Sequence, residues 1–349
     1  MKGSGRFCPR NDQMKLDALF SDGIVFAEGK PVRIFGEGEG SASVRFCGRT
    51  ADAVSRGGRW IAELPPVNAG GPYELEICLD GEITVLKDVY VGKVYLVAGQ
   101  SNAEFRLCES DEPGSGYLDD PLLRNYFVAR PWIENDTYGP DDGWRRAEKT
   151  AVGDWSAIAY LAGRAVRRTT GTAVGVISCY QGASIIESWL PERDAERFAL
   201  PAEKLHIDHN YPDYAAWNKN GVIYEKMLSR ILPFSYSGVI WYQGESDTTV
   251  YEGEIYDKEL LCFIDAVRRG TYDPDLRFAV IQIADFDGRK TYDPEGWRAV
   301  QLAQERAVKE DKNSVLIVSA DVCESSCIHP TKKTALSERA AAAFTEKNG

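Results

Sequence analysis

The sequence predicts an α/β protein in which a parallel sheet with helices on both faces follows a smaller β-sandwich. Two patterns lead to this prediction. Before residue 91, short strand-like runs are separated by glycine-containing turns, and no helical period of useful length appears. After residue 91, continuous apolar runs alternate with helical patterns, which is typical of a parallel sheet buried on both faces. We therefore expect two domains, residues 1–90 and 91–349, in this chain of 349 residues.

The first part of the chain is predicted from its turns and its alternation. The segment 73–77 (YELEI) alternates apolar and acidic residues with a period of two, as a half-buried strand does. The glycine-rich segments 57–58 and 69–72 indicate turns between strands. The predicted strands are 31–34, 43–46, 59–64, 73–77 and 83–91.

The second part of the chain alternates predicted strands with predicted helices. The strands are expected at 94–98, 125–129, 173–179, 238–242, 278–284 and 314–320, and the helices at 156–168, 255–269, 296–309 and 331–347. Residues 191–218 are polar and interrupted by proline, which indicates a long surface excursion. Ligands of such sheets bind outside the carboxyl ends of the strands, so the chemistry is expected just after the apolar runs.

Composition excludes several classes of protein. The chain has 41 Lys and Arg against 53 Asp and Glu, a formal net charge of −12, so neither nucleic acid nor an anionic membrane surface is an expected partner. No apolar run reaches the roughly 18 residues that a membrane-spanning helix needs. The N-terminus lacks the apolar stretch of a secretory signal, which predicts a cytoplasmic protein, although a chain whose signal had been removed would look the same. The sequence leaves the oligomeric state open.

The eight cysteines are scattered and include no CxxC pair, so we expect most of them to be reduced and buried. The segment HIDH, with His206 and His209 around Asp208, is the one weak candidate for a metal site, and we interpret it as a polar loop. No metal site and no cofactor is therefore predicted.

Three polar turns follow predicted strands. Ser101, in the segment GQSN, is placed to be an exposed nucleophile after a tight turn, or else to cap the next helix. Gly182, in QGAS, is placed to present a backbone N–H to an oxyanion, or is only a turn glycine. In WYQGESD, Gln243 is a candidate oxyanion donor, and Glu245 or Asp247 is a candidate to bind sugar hydroxyls or orient a base; the alternative is a helix-capping loop.

His329 precedes Pro330 late in the chain, and with three histidines present it is the candidate general base for Ser101. A serine hydroxyl needs such a base because it is not ionised at neutral pH. Taken alone, a histidine before proline is more often structural.

Taken together, these segments resemble the SGNH-hydrolase superfamily, and within it the sialate O-acetylesterase branch and the related carbohydrate esterase family six. The similar segments occur in the family's order: VYLVAGQSNAEF (94–105), QGASIIESWL (181–190), GVIWYQGESD (238–247), GWRAVQLAQ (296–304) and CIHPTKK (327–333). The resemblance implies a flavodoxin-like three-layer α/β/α domain. The segments GKPVRIFGEGEG and GRWIAELPPVNAGGPYELEI resemble the strands and turn of that family's leading β domain.

The resemblance also implies a function: hydrolysis of acetyl esters on carbohydrates, without a cofactor. Ser101 would be the nucleophile and His329 the general base, with the backbone N–H groups of Ser101 and Gly182 and the side chain of Gln243 forming the oxyanion hole. The residues expected to bind the sugar are Gln100, Asn102 and Trp189.

The residues before His329 depart from the family. SGNH enzymes usually carry Asp three residues before the catalytic histidine, and this branch often carries it two residues before; here Ser326 and Cys327 stand at those positions. Asp321 and Glu324 lie upstream and reach His329 only if the loop folds back. Otherwise a backbone carbonyl orients the imidazole of a Ser–His dyad.

The leading hypothesis is therefore a carbohydrate O-acetylesterase acting on an acetylated sugar, with sialic acid O-acetyl esters favoured. The alternatives are an acetyl xylan esterase, an SGNH esterase acting on a non-sugar ester, and a carbohydrate-binding homologue with impaired catalysis.

Overall fold

The computed structural model describes residues 14–112, 114–133, 143–198, 212–288 and 293–346. Before residue 100 these residues form strands and turns without a helix, as predicted. The strands are β1 (Lys15–Leu16), β2 (Val25–Ala27), β3 (Val32–Glu37), β4 (Ala42–Phe46), β5 (Arg49–Asp52), β6 (Val54–Arg56), β7 (Arg59–Leu64), β8 (Gly70–Leu79) and β9 (Glu82–Gly99).

The N-terminal strands pair in two groups. One sheet has the antiparallel order β1-β3-β7-β6. In the other group, β4 pairs with β5 and β8, and β8 pairs with the first half of β9. The alternation predicted for residues 73–77 is confirmed within β8, because Leu75 and Ile77 are fully buried while Glu74 is exposed.

The predicted strands and helices of the remaining chain are found among the described elements, together with a strand at Arg145–Ala147 that the sequence analysis did not predict. The strands are β10 (Asp120–Phe127), β11 (Arg145–Ala147), β12 (Val174–Tyr180), β13 (Gly238–Tyr242), β14 (Phe278–Ile281) and β15 (Ser314–Ile317). The helices are α1 (Ser101–Glu104), α2 (Ala157–Thr170), α3 (Glu192–Ala195), α4 (Ser229–Ile231), α5 (Val250–Thr271), α6 (Pro294–Glu310) and α7 (Thr334–Thr345), with a π-helical turn at Tyr224–Leu228 leading into α4.

The long helices begin where the local sequence supplies a capping group. Ser156 caps α2 by accepting a hydrogen bond from the Ala159 N–H. Thr249 and Glu252 form a capping box at the start of α5, and Asp293 caps α6 immediately before Pro294. The cap of α5 is thus Thr249, which lies just after the WYQGESD segment that the sequence left open as a helix-capping loop.

The fold is mixed α/β and is built on a large central sheet. The described strands of this sheet have the order β11-β10-β12-β9-β13-β14-β15. All neighbours in this order are parallel except β10 and β11. Successive residues of a strand point to opposite faces. Tyr95 and Val97 therefore pack with α2 and α7, whereas Leu96 and Ala98 lie in the cluster that contains α5 and α6.

β9 crosses the expected domain boundary. Its first half pairs with β8 and β2, and its second half lies between β12 and β13 in the central sheet. The boundary predicted near residue 91 therefore falls inside one continuous strand, which ends at Gly99, just before Ser101.

Other expectations concern residue environments. None of the described cysteines forms a disulfide, and the expectation that most are buried is wrong: Cys179 is the one fully buried among them, and Cys47, Cys108 and Cys327 are exposed. The HIDH segment lies outside the described residues. In the described ranges, no helix is both long and apolar enough to cross a membrane.

The turn after β9 requires glycine. Gly99 has a φ of 142°, and a Cβ at this position would lie 2.0 Å from the carbonyl oxygen of Tyr242 in β13. The close approach lets the Gln100 N–H donate to that same carbonyl at 3.0 Å. A side chain at residue 99 would therefore push apart the two strands that carry the polar turns.

We predict that Gly99→Ala lowers the free energy of unfolding by about 2–5 kcal/mol, from a strained backbone together with overpacking against β13. Gly48→Ala is the matched control, because Gly48 also has a positive φ but no atom within 4 Å of the added Cβ. The control should lose about 1–2 kcal/mol from the backbone alone. Urea unfolding measures the free energy of unfolding of both variants. Equal losses would show that the close approach to Tyr242 adds no cost beyond the strained backbone.

Candidate active site

Three polar turns meet at the carboxyl edge of the central sheet. They follow β9, β12 and β13, which are neighbours in the sheet. The Gln181 N–H donates to the Gly99 carbonyl, and the Gln100 N–H donates to the Tyr242 carbonyl, both at 3.0 Å. The three segments therefore lie together at one edge of the sheet.

Ser101 and His329 lie at this edge with their side chains in contact. The Ser101 Oγ is 2.8 Å from the His329 Nε2, although the two residues are 228 positions apart in the chain. Ser101 is the first residue of α1 but makes no capping hydrogen bond, so the alternative in which it caps that helix is wrong. Both side chains are half-buried. Burial and the nearby Lys333 cation lower the pKa of His329 below its usual value of 6.5, and Glu109 opposes that shift.

Neither upstream carboxylate contacts the imidazole. Asp321 forms a bidentate, exposed ion pair with Arg339, with N–O distances of 2.8 and 2.6 Å. Glu324 is brought back by the loop, but its Oε1 accepts from the N–H and the hydroxyl of Thr331. Within the described residues, the hydrogen bond to Ser101 is the one that the His329 ring makes.

Two backbone N–H groups stand beside Ser101. Neither the Ser101 N–H nor the Gly182 N–H donates a hydrogen bond within the described part of the chain. A Cβ built on Gly182 would lie 3.7 Å from the Cβ of Ser101, so the two residues are in direct proximity. Free N–H groups at this position suit an oxyanion.

The backbone after Gly182 is held in an uncommon conformation. Ala183 has a φ of 52°, which is unusual for a residue with a side chain. Asn218 holds this turn, because its amide donates to the Ala183 carbonyl at 2.8 Å and accepts from the Ile185 N–H at 3.1 Å. The sequence analysis did not identify Asn218, since it lies in the polar excursion far from any recognised segment.

The side chain of Gln243 is fully buried, and its amide hydrogens are both engaged within the protein. It donates to the Ser184 carbonyl at 2.8 Å and to Asp247, while its oxygen accepts from the Tyr256 hydroxyl at 2.7 Å. An amide has two N–H donors, so none is left for a ligand. The expectation that Gln243 donates to an oxyanion is corrected accordingly: Gln243 joins the turns after β12 and β13.

Asp247 is buried as well, and accepts both from Gln243 and from the Ile186 N–H, the latter at 3.2 Å. It therefore cannot reach a sugar hydroxyl in this arrangement. Its role is to fix the turn after β12.

Gln100 and Asn102 are also buried, which corrects their assignment as sugar-binding residues. The Gln100 oxygen accepts from the N–H groups of Gly244 and Ser246 at 3.1 and 3.3 Å. The Asn102 amide donates to Glu245 and to the Ile328 carbonyl, at 2.5 and 2.9 Å. Glu245 is 2% exposed, so it too faces the protein interior. These residues connect the turns with one another.

Trp189 is fully buried and is therefore not a platform for a sugar. Its ring packs edge-to-face against Trp241 at 5.3 Å, and its Nε1 donates to the Ser184 hydroxyl at 2.9 Å. The half-exposed aromatic residues near the site are Phe105, 6.3 Å from the His329 ring, and Trp132, whose Nε1 donates to the Gln181 side chain at 2.7 Å. Sequence reasoning missed both.

Lys333 is the other residue that sequence reasoning missed. It stands in the CIHPTKK segment, four residues after His329, and is completely buried. Its Nζ donates to the Asn102 Oδ1 at 2.6 Å and lies about 5 Å from the rings of Phe105 and Tyr242. The signal available was its place in a recognised segment, but the sequence does not show which of two adjacent lysines is buried.

The described residues contain no group of three or more His, Cys, Asp or Glu side chains able to hold a metal ion. The arrangement instead offers a hydroxyl, an imidazole and two backbone N–H groups at the end of a parallel sheet. These are the parts of a serine-hydrolase type of site.

The chain belongs to the carbohydrate esterase, sialic acid-specific acetylesterase family, a sequence model of which matches residues 91–346. Human sialate O-acetylesterase is 25% identical over 325 residues, covering 83% of this chain and 61% of that relative. The mouse sialate O-acetylesterase is 24% identical over 349 residues, covering 83% and 64%. The chain therefore spans less than two thirds of the length of these relatives.

A solved structure also resembles this one. The crystal structure of a carbohydrate acetylesterase from Xanthomonas citri has a TM-score of 0.80 at 27% sequence identity, covering 95% of this chain and 74% of that one. The mixed α/β fold with its large central sheet is shared.

We predict that Gln243→Leu lowers the free energy of unfolding by about 3–5 kcal/mol, because it removes the side-chain donor to the buried Asp247 carboxylate and leaves the Ser184 carbonyl without the Gln243 amide. Gln304→Leu is the control. Gln304 is equally buried, but it bonds neutral groups, the Gln243 carbonyl and the Ile283 N–H, so we expect a loss of about 1–3 kcal/mol. Guanidinium unfolding measures the free energy of unfolding of both variants. A larger loss of stability in Gln304→Leu than in Gln243→Leu would contradict the role of Gln243 in joining the two turns.

Proposed function

We propose that this protein is a carbohydrate O-acetylesterase that removes acetyl groups from acetylated sugars through an acyl-enzyme, with O-acetyl esters of sialic acid favoured. The observation that carries the proposal is the 2.8 Å contact between the Ser101 Oγ and the His329 Nε2. Membership of the sialic acid-specific acetylesterase family and the names of the mammalian relatives support the choice of substrate.

In the proposed mechanism, the His329 Nε2 accepts the Ser101 proton while the Oγ attacks the acetyl carbonyl carbon. The oxyanion of the tetrahedral intermediate is stabilised by the N–H groups of Ser101 and Gly182. Collapse breaks the ester bond, and His329 returns the proton to the departing sugar oxygen. Water then attacks the acetyl group by the same route, which releases acetate and restores the hydroxyl.

We assign a Ser–His dyad to this reaction. Asp321 is engaged with Arg339, and Glu324 is engaged with Thr331, so neither is assigned the third position. In a serine protease, losing the acid lowers kcat by up to about 10⁴-fold because the imidazole takes the wrong tautomer. A dyad therefore needs another means of holding the histidine.

The faces that a sugar would contact are assigned to Phe105 and Trp132, which are half-buried next to His329 and Gln181 respectively. Aromatic rings present an apolar face with little loss of side-chain entropy, which suits the apolar side of a pyranose.

We further propose the domain architecture that the family resemblance implies. The strands before residue 91 would form an N-terminal β-sandwich, and residues 91–349 an SGNH catalytic domain with three α/β/α layers. The two groups of paired N-terminal strands support the first part. The packing of α2 and α7 in one cluster and of α5 and α6 in another supports the second.

Ser101→Ala should lower kcat for acetate release by at least about 10⁴-fold, because the nucleophile is removed while the fold is kept. Acetate is measured from 9-O-acetyl sialic acid and from an acetylated xylo-oligosaccharide. Ser229→Ala is the control, since the Ser229 hydroxyl bonds a helical carbonyl of the Tyr224–Leu228 turn.

Release by the wild type from the sialic acid ester supports the proposed substrate, whereas release from the xylo-oligosaccharide alone would favour an acetyl xylan esterase. A fully active Ser101→Ala variant would contradict the assignment of Ser101 as the nucleophile. A folded wild type that releases acetate from neither substrate would contradict the proposed function and favour a non-sugar ester or a binding role.

The pH dependence follows from His329. Since burial and Lys333 lower its pKa, and since only the neutral imidazole accepts a proton, kcat/KM should rise with pH and reach half its maximum below pH 6.5. Glu109→Gln removes the anion that opposes the shift, so its midpoint should move further down. A wild-type midpoint above 6.5 would contradict the assignment of His329.

A further inference from the structure

The fully buried Lys333 stands out among the side chains that the mechanism does not use. Taking an ammonium group out of water costs several kcal/mol unless polar partners compensate it. Its described partners are the Asn102 oxygen and the faces of two aromatic rings. The salt bridges between described residues do not include Lys333, so its charge is compensated through Asn102 and not by a direct ion pair.

Asn102 lies between two buried side chains, the Lys333 ammonium group and the carboxyl group of Glu245, whose pKa is raised by burial. Its oxygen accepts from Lys333 and its nitrogen donates to Glu245. A cation on one side and the carbonyl oxygen of Ile328 on the other leave the amide one favourable orientation, because a flipped amide would face Lys333 with donors and the carbonyl with an acceptor. Lys333 therefore determines which way the amide of Asn102 points.

In that orientation, the second N–H of Asn102 donates to the Ile328 carbonyl at 2.9 Å. Ile328 immediately precedes His329. The loop that carries the histidine, residues 324–333, is thus attached directly to the residue that follows Ser101. Asp111 and Glu324 hold the far side of this loop, through the N–H groups of Lys333 and Thr331.

The charge of Lys333 also acts on the imidazole. It lowers the pKa of His329 and so favours the neutral form that a general base needs. Burial lowers the pKa of Lys333 itself to about 8, while Cys323, Glu245, Glu324 and Cys327 oppose that shift. The ammonium is therefore the dominant form at neutral pH.

We propose that Lys333 is a positioning residue that, through Asn102, holds the loop of His329 against Ser101 and so supplies an alignment that no described carboxylate provides behind the imidazole. This inference rests on the proposed function, since it uses the roles given there to Ser101 and His329. It assigns to the Lys333 side chain an effect on reactivity beyond its effect on stability.

The test uses a fluorophosphonate probe, because its reaction needs no knowledge of the sugar. The Ser101 Oγ–P bond forms, the P–F bond breaks, and His329 takes the hydroxyl proton. Lys333→Met keeps the length of the side chain and removes its charge. We expect its labelling rate at pH 7 to fall about 10²-fold, as a displaced base would cause. Lys332→Met, the exposed neighbour, is the control and should label at the wild-type rate.

The pH profile separates positioning from a purely structural role. The wild-type labelling rate should rise as His329 loses its proton and fall again near pH 8, as Lys333 loses its own. In Lys333→Met the upper limb should be absent, and the lower limb should move to higher pH because a nearby cation is gone. Cys327→Ser is a control for the nearby exposed cysteine and should retain the upper limb.

A double-mutant cycle tests the route through Asn102. Asn102→Leu and the double variant with Lys333→Met should each label at about the rate of Lys333→Met, because both changes break one chain of contacts. Additive losses would overturn the route.

A folded Lys333→Met variant that labels at the wild-type rate would overturn the inference while leaving the proposed function intact. If circular dichroism shows that this variant does not fold, the pH profile of the wild-type labelling rate provides the test. A labelling rate that stays constant between pH 7 and 9.5 overturns the inference. Absence of labelling at Ser101 in the wild type would overturn the proposed function, and the inference with it.

Discussion

Buried side-chain amides hold the site together, and the other features depend on them. Gln100 joins the turn after β9 to the turn after β13, and Gln243 joins the latter to the turn after β12. Asn102 extends the network to the loop of His329. An amide donates and accepts at once, so it can link two backbone segments without adding a charge. The contact between Ser101 and His329 depends on these links, because the two residues come from distant parts of the chain.

The second constraint is electrostatic. Asp247, Glu245 and Lys333 are all buried within this network. Buried charges contribute little net stability, but removing one partner is strongly destabilising because it leaves the other uncompensated. Such a network favours one arrangement over near alternatives. The Ser–His pair depends on this single arrangement more than a full triad does, since no described carboxylate holds its imidazole.

Much of this was predictable from the sequence, and the reasons differ between residues. Continuous apolar runs identified the parallel strands, and the turns that follow them identified Ser101 and Gly182 as candidates, because the carboxyl ends of parallel strands share one edge. His329 was identified in another way, as one of three histidines and from the resemblance of its segment to the family. Burial of polar side chains was not predictable in this way. Gln243 and Trp189 were expected to face a ligand, but they pack inward, since a sequence pattern does not show which side of a turn is covered. Lys333 was missed for the same reason.

The continuity of β9 has a consequence for how the chain can be altered. This strand takes its hydrogen bonds from β8 and β2 in its first half and from β12 and β13 in its second, and then delivers Ser101. It is one continuous strand that belongs to both parts of the molecule. Truncation before residue 91 would leave the nucleophile at the end of a strand that has lost half its support. Exchange of the N-terminal strands between relatives must therefore preserve the register of β8 against β9.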